Sequence, residues 1–161
     1  MNRCTLLFCI CLLLSSFSFA QTISDHAIGI RTGDNDGFGV EISYQYALSQ
    51  SNRLEADLGL RSGNNYDGFK LTGLYQWVMP LDGNFQWYLG AGGGVGAYSF
   101  DNVPVGVDDS ETFFFAAGNA GIEYNFNIPL LLSIDVRPEF GFGDFNDDFD
   151  FDLGLGIRYQ F

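Results

Sequence analysis

The stretch Phe151-Asp152-Leu153-Gly154-Leu155-Gly156-Ile157-Arg158-Tyr159-Gln160-Phe161 alternates strictly between two kinds of residue. Every odd position is apolar, and every even position is Asp, Gly, Arg or Gln. A period of two is typical of a β-strand whose two faces meet different surroundings. An aromatic residue at the end of the apolar face fits a strand that ends at a membrane interface. The stretch therefore predicts a strand of a membrane-spanning barrel.

Turn signals divide the preceding chain into seven similar segments, so that eight strands are predicted in all. They cover residues 24–32, 38–48, 52–62, 68–79, 85–99, 112–126, 130–142 and 149–161. An even number of strands places both ends of the barrel on one side, the predicted periplasm, where short turns are typical. Pro138 has no backbone donor, so a bulge or a local break is expected there.

Residues 1–20 have the pattern of a secretory signal peptide, with an apolar run over 5–14 and small residues before position 21. Cleavage is predicted before Gln21, which leaves residues 21–161 as one barrel domain. One alternative is a transmembrane helix, but the apolar run is shorter than the roughly 20 residues that a spanning helix needs. The other alternative is a lipoprotein signal. All three cysteines lie in this segment, so the mature chain is predicted to have no disulfide.

Charge and hydropathy narrow the class of protein further. The net charge of −13 argues against nucleic acid as a partner. Apolar residues make up 47% of the chain, yet no later segment is continuously apolar for long enough to span a bilayer as a helix. Lipid offers no partner to unpaired backbone groups, so a membrane protein with this pattern must form a closed barrel.

Alternation alone also fits a soluble, lipocalin-like carrier whose apolar face points inward. The charged face, however, is rich in glycine, and small side chains fit the crowded interior of an eight-stranded barrel. Its charges are nearly balanced, as buried charges must be. We therefore predict a structural ion-pair network in the lumen, rather than a conduction path. Its members are Arg31, Glu41, Arg53, Glu55, Asp57, Arg61, Lys70, Glu123, Asp135, Arg137, Glu139, Asp152 and Arg158.

The apolar face carries aromatic residues near both predicted strand ends and aliphatic residues between them. Two aromatic girdles around an aliphatic belt are typical of a membrane-spanning barrel. The predicted periplasmic girdle contains Tyr44, Tyr46, Tyr75, Trp77, Phe85, Trp87, Tyr124 and Phe126, together with Tyr159 and Phe161. The predicted outer girdle contains Phe38, Phe69, Phe114, Phe140, Phe142, Phe149 and Phe151.

With its eight segments, signal peptide and final Tyr159-Gln160-Phe161, the chain resembles small outer-membrane β-barrels of the OmpA/OmpX type. The resemblance implies an all-β fold, an eight-stranded antiparallel up-and-down transmembrane barrel in the outer membrane. It implies that Tyr159 and Phe161 form a C-terminal insertion signal. It also implies periplasmic chaperones and the barrel-assembly machinery as partners during biogenesis. It does not imply a particular activity, because a fold does not determine a function.

Three residues interrupt the face pattern near the predicted outer end. Tyr98, Phe113 and Phe115 point inward there and could form a mouth pocket for a lipid or another hydrophobic ligand. The preferred interpretation is that they plug the barrel or mark a bulge.

The acidic outer segments supply oxygen ligands that could hold Ca²⁺ or Mg²⁺. A solvated rim is preferred, so no metal site is predicted beyond the candidates Asp144, Asp147, Asp148 and Asp150.

These patterns predict a non-enzymatic protein without a cofactor, because the single histidine, His26, has no plausible catalytic triad around it. The predicted role is structural or surface-interacting, with outer-membrane lipid and lipopolysaccharide as partners and a monomer as the expected state. The alternative is a narrow pore or a carrier of hydrophobic ligands through the outer membrane. The soluble carrier described above is a further alternative.

Overall fold

The computed structural model describes residues 23–33, 39–63, 66–100, 110–142 and 149–161. These residues form a closed antiparallel barrel in which each strand pairs with its sequence neighbours and the last pairs with the first. The predicted eight-stranded up-and-down barrel is confirmed. The strands are β1 (His26–Thr32), β2 (Val40–Ala47), β3 (Asn52–Ser62), β4 (Tyr66–Asp82), β5 (Phe85–Phe100), β6 (Ser110–Asn125), β7 (Leu130–Phe142) and β8 (Phe149–Gln160).

The side chains of each strand divide between the inside and the outside of the barrel. In β8, the even-numbered residues from Asp152 to Gln160 are buried, whereas the odd-numbered residues from Phe149 to Tyr159 are exposed. Leu155 has 60% of its surface exposed, and Arg158 has 1%. The charged face therefore points inward and the apolar face outward. This arrangement contradicts the soluble, lipocalin-like alternative, which required the opposite orientation.

The barrel has two rims. The terminal rim carries His26, Phe161 and the three short connections 48–51, 83–84 and 126–129. The loop rim lies at the opposite end, where Thr32, Ser62 and Phe142 are located. Within the described ranges, no helix is long and apolar enough to span a bilayer.

Two prolines mark local irregularities of the sheet. The register between β4 and β5 shifts between Pro80 and Asp82, just before the turn at Gly83, whose φ is +54°. At Pro138 the β6–β7 register is the same on both sides, but the ladder is interrupted between the Ala117–Glu139 and Ala120–Val136 pairs. This is the local break expected for a residue that has no backbone donor, and it occurs without a bulge.

An apolar cluster closes the lumen at the terminal rim. Ile23 lies just before β1 with 5% of its surface exposed, and it packs with the buried Val78 and Tyr88. The alternation of the strands offers no signal for Ile23, because this residue precedes the first strand. The interior thus begins with an apolar seal, and the charged side chains lie beyond it.

Candidate functional site

The lumen brings together twelve of the thirteen charged residues that were predicted to line it, and all twelve are buried. They lie on alternate positions of seven strands, so that the period of two directs each of them inward. They are Arg31, Glu41, Arg53, Glu55, Asp57, Lys70, Glu123, Asp135, Arg137, Glu139, Asp152 and Arg158.

Nearest the apolar seal, Arg53 of β3 pairs with Glu123 of β6 across the barrel. Its Nη1 and Nη2 donate to the two carboxylate oxygens of Glu123 at 3.0 and 2.7 Å, while its Nε donates to Gln76 at 2.6 Å. The guanidinium also lies 5.0 Å from the ring centroid of Tyr88. A bidentate pair of this kind is the strongest geometry available to arginine and a carboxylate.

Arg31 of β1 lies at the centre of the lumen and contacts three carboxylates. Its Nη2 lies 2.6 Å from Asp135 Oδ1, and its Nη1 lies 2.5 Å from Asp152 Oδ2 and 3.2 Å from Glu41 Oε2. Gly154 faces the guanidinium, and a Cβ built on this glycine would lie 2.4 Å from the guanidinium carbon. The glycine on the charged face of β8 therefore provides the space that Arg31 occupies, as predicted for a crowded interior.

Two further arginines extend the same network. Arg137 of β7 contacts Glu41 at 3.0 Å and also pairs with Asp57. Arg158 of β8 donates to Glu55 at 3.1 Å, and to the hydroxyls of Ser43 and Ser133 at 2.9 Å each. Because Glu41 contacts both Arg31 and Arg137, the charges form one connected cluster rather than separate pairs.

Towards the loop rim, Lys70 of β4 pairs with Glu139 of β7. The two carboxylate oxygens accept from Nζ at 2.9 and 2.7 Å, and Nζ lies 4.9 Å from the ring centroid of Phe115. Arg61 is placed differently from the prediction, because its side chain is only half-buried and lies 5.3 Å from the ring centroid of Tyr66. Its strand reaches the loop rim at that point, so the side chain no longer faces the central network.

The three predicted mouth residues also lie together. The rings of Tyr98 and Phe113 stack with centroids 5.8 Å apart, and those of Phe113 and Phe115 are 6.2 Å apart. Cβ atoms built on Gly94 and Gly96 would lie 2.4 and 2.2 Å from the rings of Phe115 and Phe113. The rings therefore occupy space that the glycines of β5 leave free. A shallow depression of about 240 Å³ lies beside Tyr98.

The outer surface carries the predicted aromatic residues in contact with one another. At the terminal rim, the ring centroids of Tyr75 and Trp77 are 4.9 Å apart, and the ring centroid of Tyr124 lies 4.7 Å from those of Phe85 and Phe126. Tyr44, Tyr46 and Trp87 also point outward there. At the loop rim, the ring centroid of Phe149 lies 4.6 Å from those of Phe140 and Phe151. Phe38 lies outside the described residues.

The remaining candidates concern metal binding and the single histidine. Asp144, Asp147 and Asp148 lie outside the described residues, and Asp150 is opposite Glu139 in the β7–β8 ladder. In the described part of the chain, no group of three or more His, Cys, Asp or Glu residues is arranged to hold a metal ion. His26 is hydrogen-bonded to the Tyr44 hydroxyl at 2.8 Å and stacks on Phe161.

A closed barrel of eight antiparallel strands, with a charged interior and an apolar, aromatic-flanked exterior, is the architecture of a small membrane-spanning barrel of the outer-membrane type. Lipid is the only solvent that such an exterior can face over its whole circumference without exposing a large apolar surface to water. The fold and the side-chain distribution together place the chain in this class.

Solved structures of outer-membrane proteins share this fold. The N-terminal β-barrel domain of Pseudomonas aeruginosa OprF has a TM-score of 0.65 at 16% identity, and the alignment covers 86% of this chain and 98% of that one. Neisserial surface protein A has a TM-score of 0.58 at 15% identity, with coverages of 84% and 94%. Ail, the attachment invasion locus protein of Yersinia pestis, has a TM-score of 0.57 at 18% identity, with coverages of 86% and 97%. No protein-family model and no curated protein matches the sequence.

Proposed function

We propose that this protein is an integral outer-membrane β-barrel with a structural or surface-interaction role and no catalytic activity. The observation that carries the proposal is the filled lumen. A seal at Ile23, the arginine–carboxylate cluster and the stacked rings at the loop rim occupy successive levels of the interior. Eight strands leave an interior just wide enough for side chains to fill, so the barrel acts as an anchor and its outer connections meet the surroundings.

The chemistry of the outer connections restricts the partner. Residues 101–109 and 143–148 contain six aspartates and no basic residue. Two barrels of the same fold are named for a surface location or for attachment and invasion, and Ail has been solved with the heparin analogue sucrose octasulfate. An acidic rim repels a sulfated polyanion. We therefore propose cationic partners for this chain, or lipopolysaccharide phosphates reached through divalent ions.

The partners during biogenesis follow from the exterior of β8. The rings of Tyr159 and Phe161 point outward, with 57% and 61% of their surfaces exposed. We propose that they form the insertion signal read by the barrel-assembly machinery after delivery by periplasmic chaperones. Closure of the sheet leaves no unpaired edge for a second copy, which supports a monomer.

A second candidate function is the carriage of a hydrophobic ligand at the loop rim. The observation that favours it is the position of Tyr98, which is half-buried beside the shallow depression and stacks on the half-buried Phe113. A pore is less well supported, because Phe115 and the Lys70–Glu139 pair block the lumen beneath these rings. A test is the binding of a fluorescent fatty acid to the wild-type protein and to Phe113→Ala, with Phe114→Ala on the outer face as the matched control.

The primary test combines location, closure and conductance. Cells expressing the full chain are fractionated, and the outer-membrane fraction is run with and without boiling. We expect a heat-modifiable band in that fraction, and amino-terminal sequencing that begins at Gln21. The purified barrel should not conduct in a planar bilayer. A single band in the soluble periplasm would overturn the membrane location, and steady single-channel currents would replace the anchor role by the pore.

A further inference from the structure

The charges of the lumen are not balanced, and the imbalance is local. Among the described residues, five buried cations face seven buried carboxylates. Arg53 pairs with Glu123, and Lys70 pairs with Glu139, so that each of these two contacts joins one cation to one carboxylate. The remaining three cations and five carboxylates meet in the central cluster. It is formed by Arg31, Arg137, Arg158, Glu41, Glu55, Asp57, Asp135 and Asp152.

Unsatisfied polar atoms lie in the same part of the interior. Among the residues that the structure describes, the buried side-chain atoms without a hydrogen-bond partner are Glu55 Oε1, Asp57 Oδ1, Thr72 Oγ1 and Arg137 Nε. Thr72 is fully buried and lies directly opposite Asp57 in the β3–β4 ladder. Glu55 and Asp57 are two residues apart on the same face of β3. A buried polar group without a partner is costly, so these oxygens indicate an additional bound species.

We propose that the central cluster is a proton-binding site, in which Glu55 and Asp57 share one proton in the folded barrel. The proton converts one carboxylate into a donor for an oxygen that now lacks a partner. It also removes one of the two excess negative charges. Two neighbouring carboxylates that are both removed from water repel each other, so that ionising both at once is costly. The site goes beyond the surface role proposed above and does not depend on it.

The charged surroundings of Asp57 favour a proton over a metal ion. The charged groups that face it are Glu41 of β2, Glu55 of β3, Arg137 of β7 and Arg158 of β8, while β4 contributes the neutral Thr72. Glu55 faces Arg53 of β3 in addition to Arg137 and Arg158. Arg137 lies against both carboxylates, with its Nη2 bonded to Asp57 and 3.9 Å from Glu55 Oε1. A metal ion at these oxygens would be repelled by the guanidinium, whereas a proton needs no cavity and no further ligands.

The direct test is infrared spectroscopy of the purified full chain, folded in detergent at neutral pH. We expect a carboxylic-acid C=O stretching band in the folded protein, which is lost in Asp57→Asn and in Glu55→Gln. The matched control is Glu139→Gln, which removes the carboxylate that Lys70 contacts towards the loop rim and should leave the band in place. Absence of the band from the wild-type protein, or its persistence in both variants, overturns the proposal.

A second measurement keeps the proposal testable if a variant does not fold. The pH dependence of urea unfolding is recorded for the wild-type barrel alone. A carboxyl that binds its proton more tightly in the folded state makes stability fall as pH rises from the pKa of an unfolded carboxyl, about 4, towards its higher pKa in the folded barrel, above which the profile levels off. We expect this fall in the wild-type protein, and a wild-type profile that is flat over this range overturns the proposal. Stability that instead rises with sodium or potassium at constant ionic strength would assign the site to a metal ion and reject the proton.

Discussion

His26 and Phe161 join the first strand of the barrel to the end of the last. The His26 amide donates to the Phe161 carbonyl at 3.2 Å, and the Phe161 amide donates to the His26 carbonyl at 2.9 Å. Their rings stack with centroids 5.3 Å apart and an interplanar angle of 19°. The single histidine therefore contributes to closure of the barrel.

His26→Ala should destabilise the closed barrel moderately. It removes a ring stack worth about 0.5–1.5 kcal/mol and a side-chain hydrogen bond to Tyr44 worth about 0.5–1.5 kcal/mol. The free energy of unfolding in urea, measured in detergent micelles, provides the check. Tyr44→Phe is the control, because it keeps the ring and loses only the hydrogen bond. An effect of His26→Ala no larger than that of the control would show that the stack contributes nothing.

Arg53→Met should be strongly destabilising, because it leaves Glu123 buried with no opposite charge. Breaking one partner of a buried ion pair costs about 3–5 kcal/mol. The double variant Arg53→Met, Glu123→Leu removes both charges and should recover most of this loss. Urea unfolding of the two single variants and the double variant forms a complete cycle. Additive losses would contradict a direct interaction between the two side chains, despite the 2.7 Å contact between them.

Gly154→Ala should lower stability by about 1–3 kcal/mol, since overpacking displaces the surrounding side chains. The added Cβ would lie 2.4 Å from the Arg31 guanidinium, which is held by three carboxylates and has little freedom to move. Gly73→Ala is the matched control, because the nearest atom to its Cβ is 4.0 Å away. The temperature at which the heat-modifiable band disappears gives a simple comparison, and equal temperatures for the two variants would refute crowding at Gly154.

Leu155→Arg tests whether the outward face meets lipid. Leu155 lies near the middle of β8 with 60% of its surface exposed, whereas Leu81 is equally exposed close to the terminal rim. An arginine on the lipid face costs about 2–4 kcal/mol at the bilayer midplane and about 0–1 kcal/mol near an interface. Unfolding from phospholipid vesicles should therefore be much easier for Leu155→Arg than for Leu81→Arg. Equal and small effects would mean that water covers both positions.

The strands were predictable because the signal for them is local. The alternation in β8, for example, extends over 149–161 in the sequence and over Phe149–Gln160 in the structure. Bounds were less accurate where turn residues continue the ladder, as in β4, which extends three residues beyond the predicted end to Asp82. Proline and glycine beside that turn weakened the sequence signal, although the backbone still pairs with β5 there.

The candidate site was predictable in its membership but not in its contacts. Arg31 and Asp135 are 104 positions apart in the chain. They meet because the closed and staggered sheet directs the Arg31 side chain of β1 and the Asp135 side chain of β7 into the same part of the lumen. Arg61 follows the same alternation as Arg53 but belongs to the loop rim. Face assignment from the sequence cannot give the height of a residue along the barrel, since the height depends on the stagger between strands.

The number of strands, the division of each strand into two faces and the charged character of one face follow from local sequence patterns alone. These properties depend only on the pleat, which directs successive side chains to opposite sides wherever a strand forms. The closed fold, in contrast, sets which charges meet, where Ile23 packs in the lumen, and why one oxygen each of Glu55 and Asp57 has no hydrogen-bond partner. Those outcomes depend on closure, because distant residues share one small interior only after β8 has paired with β1.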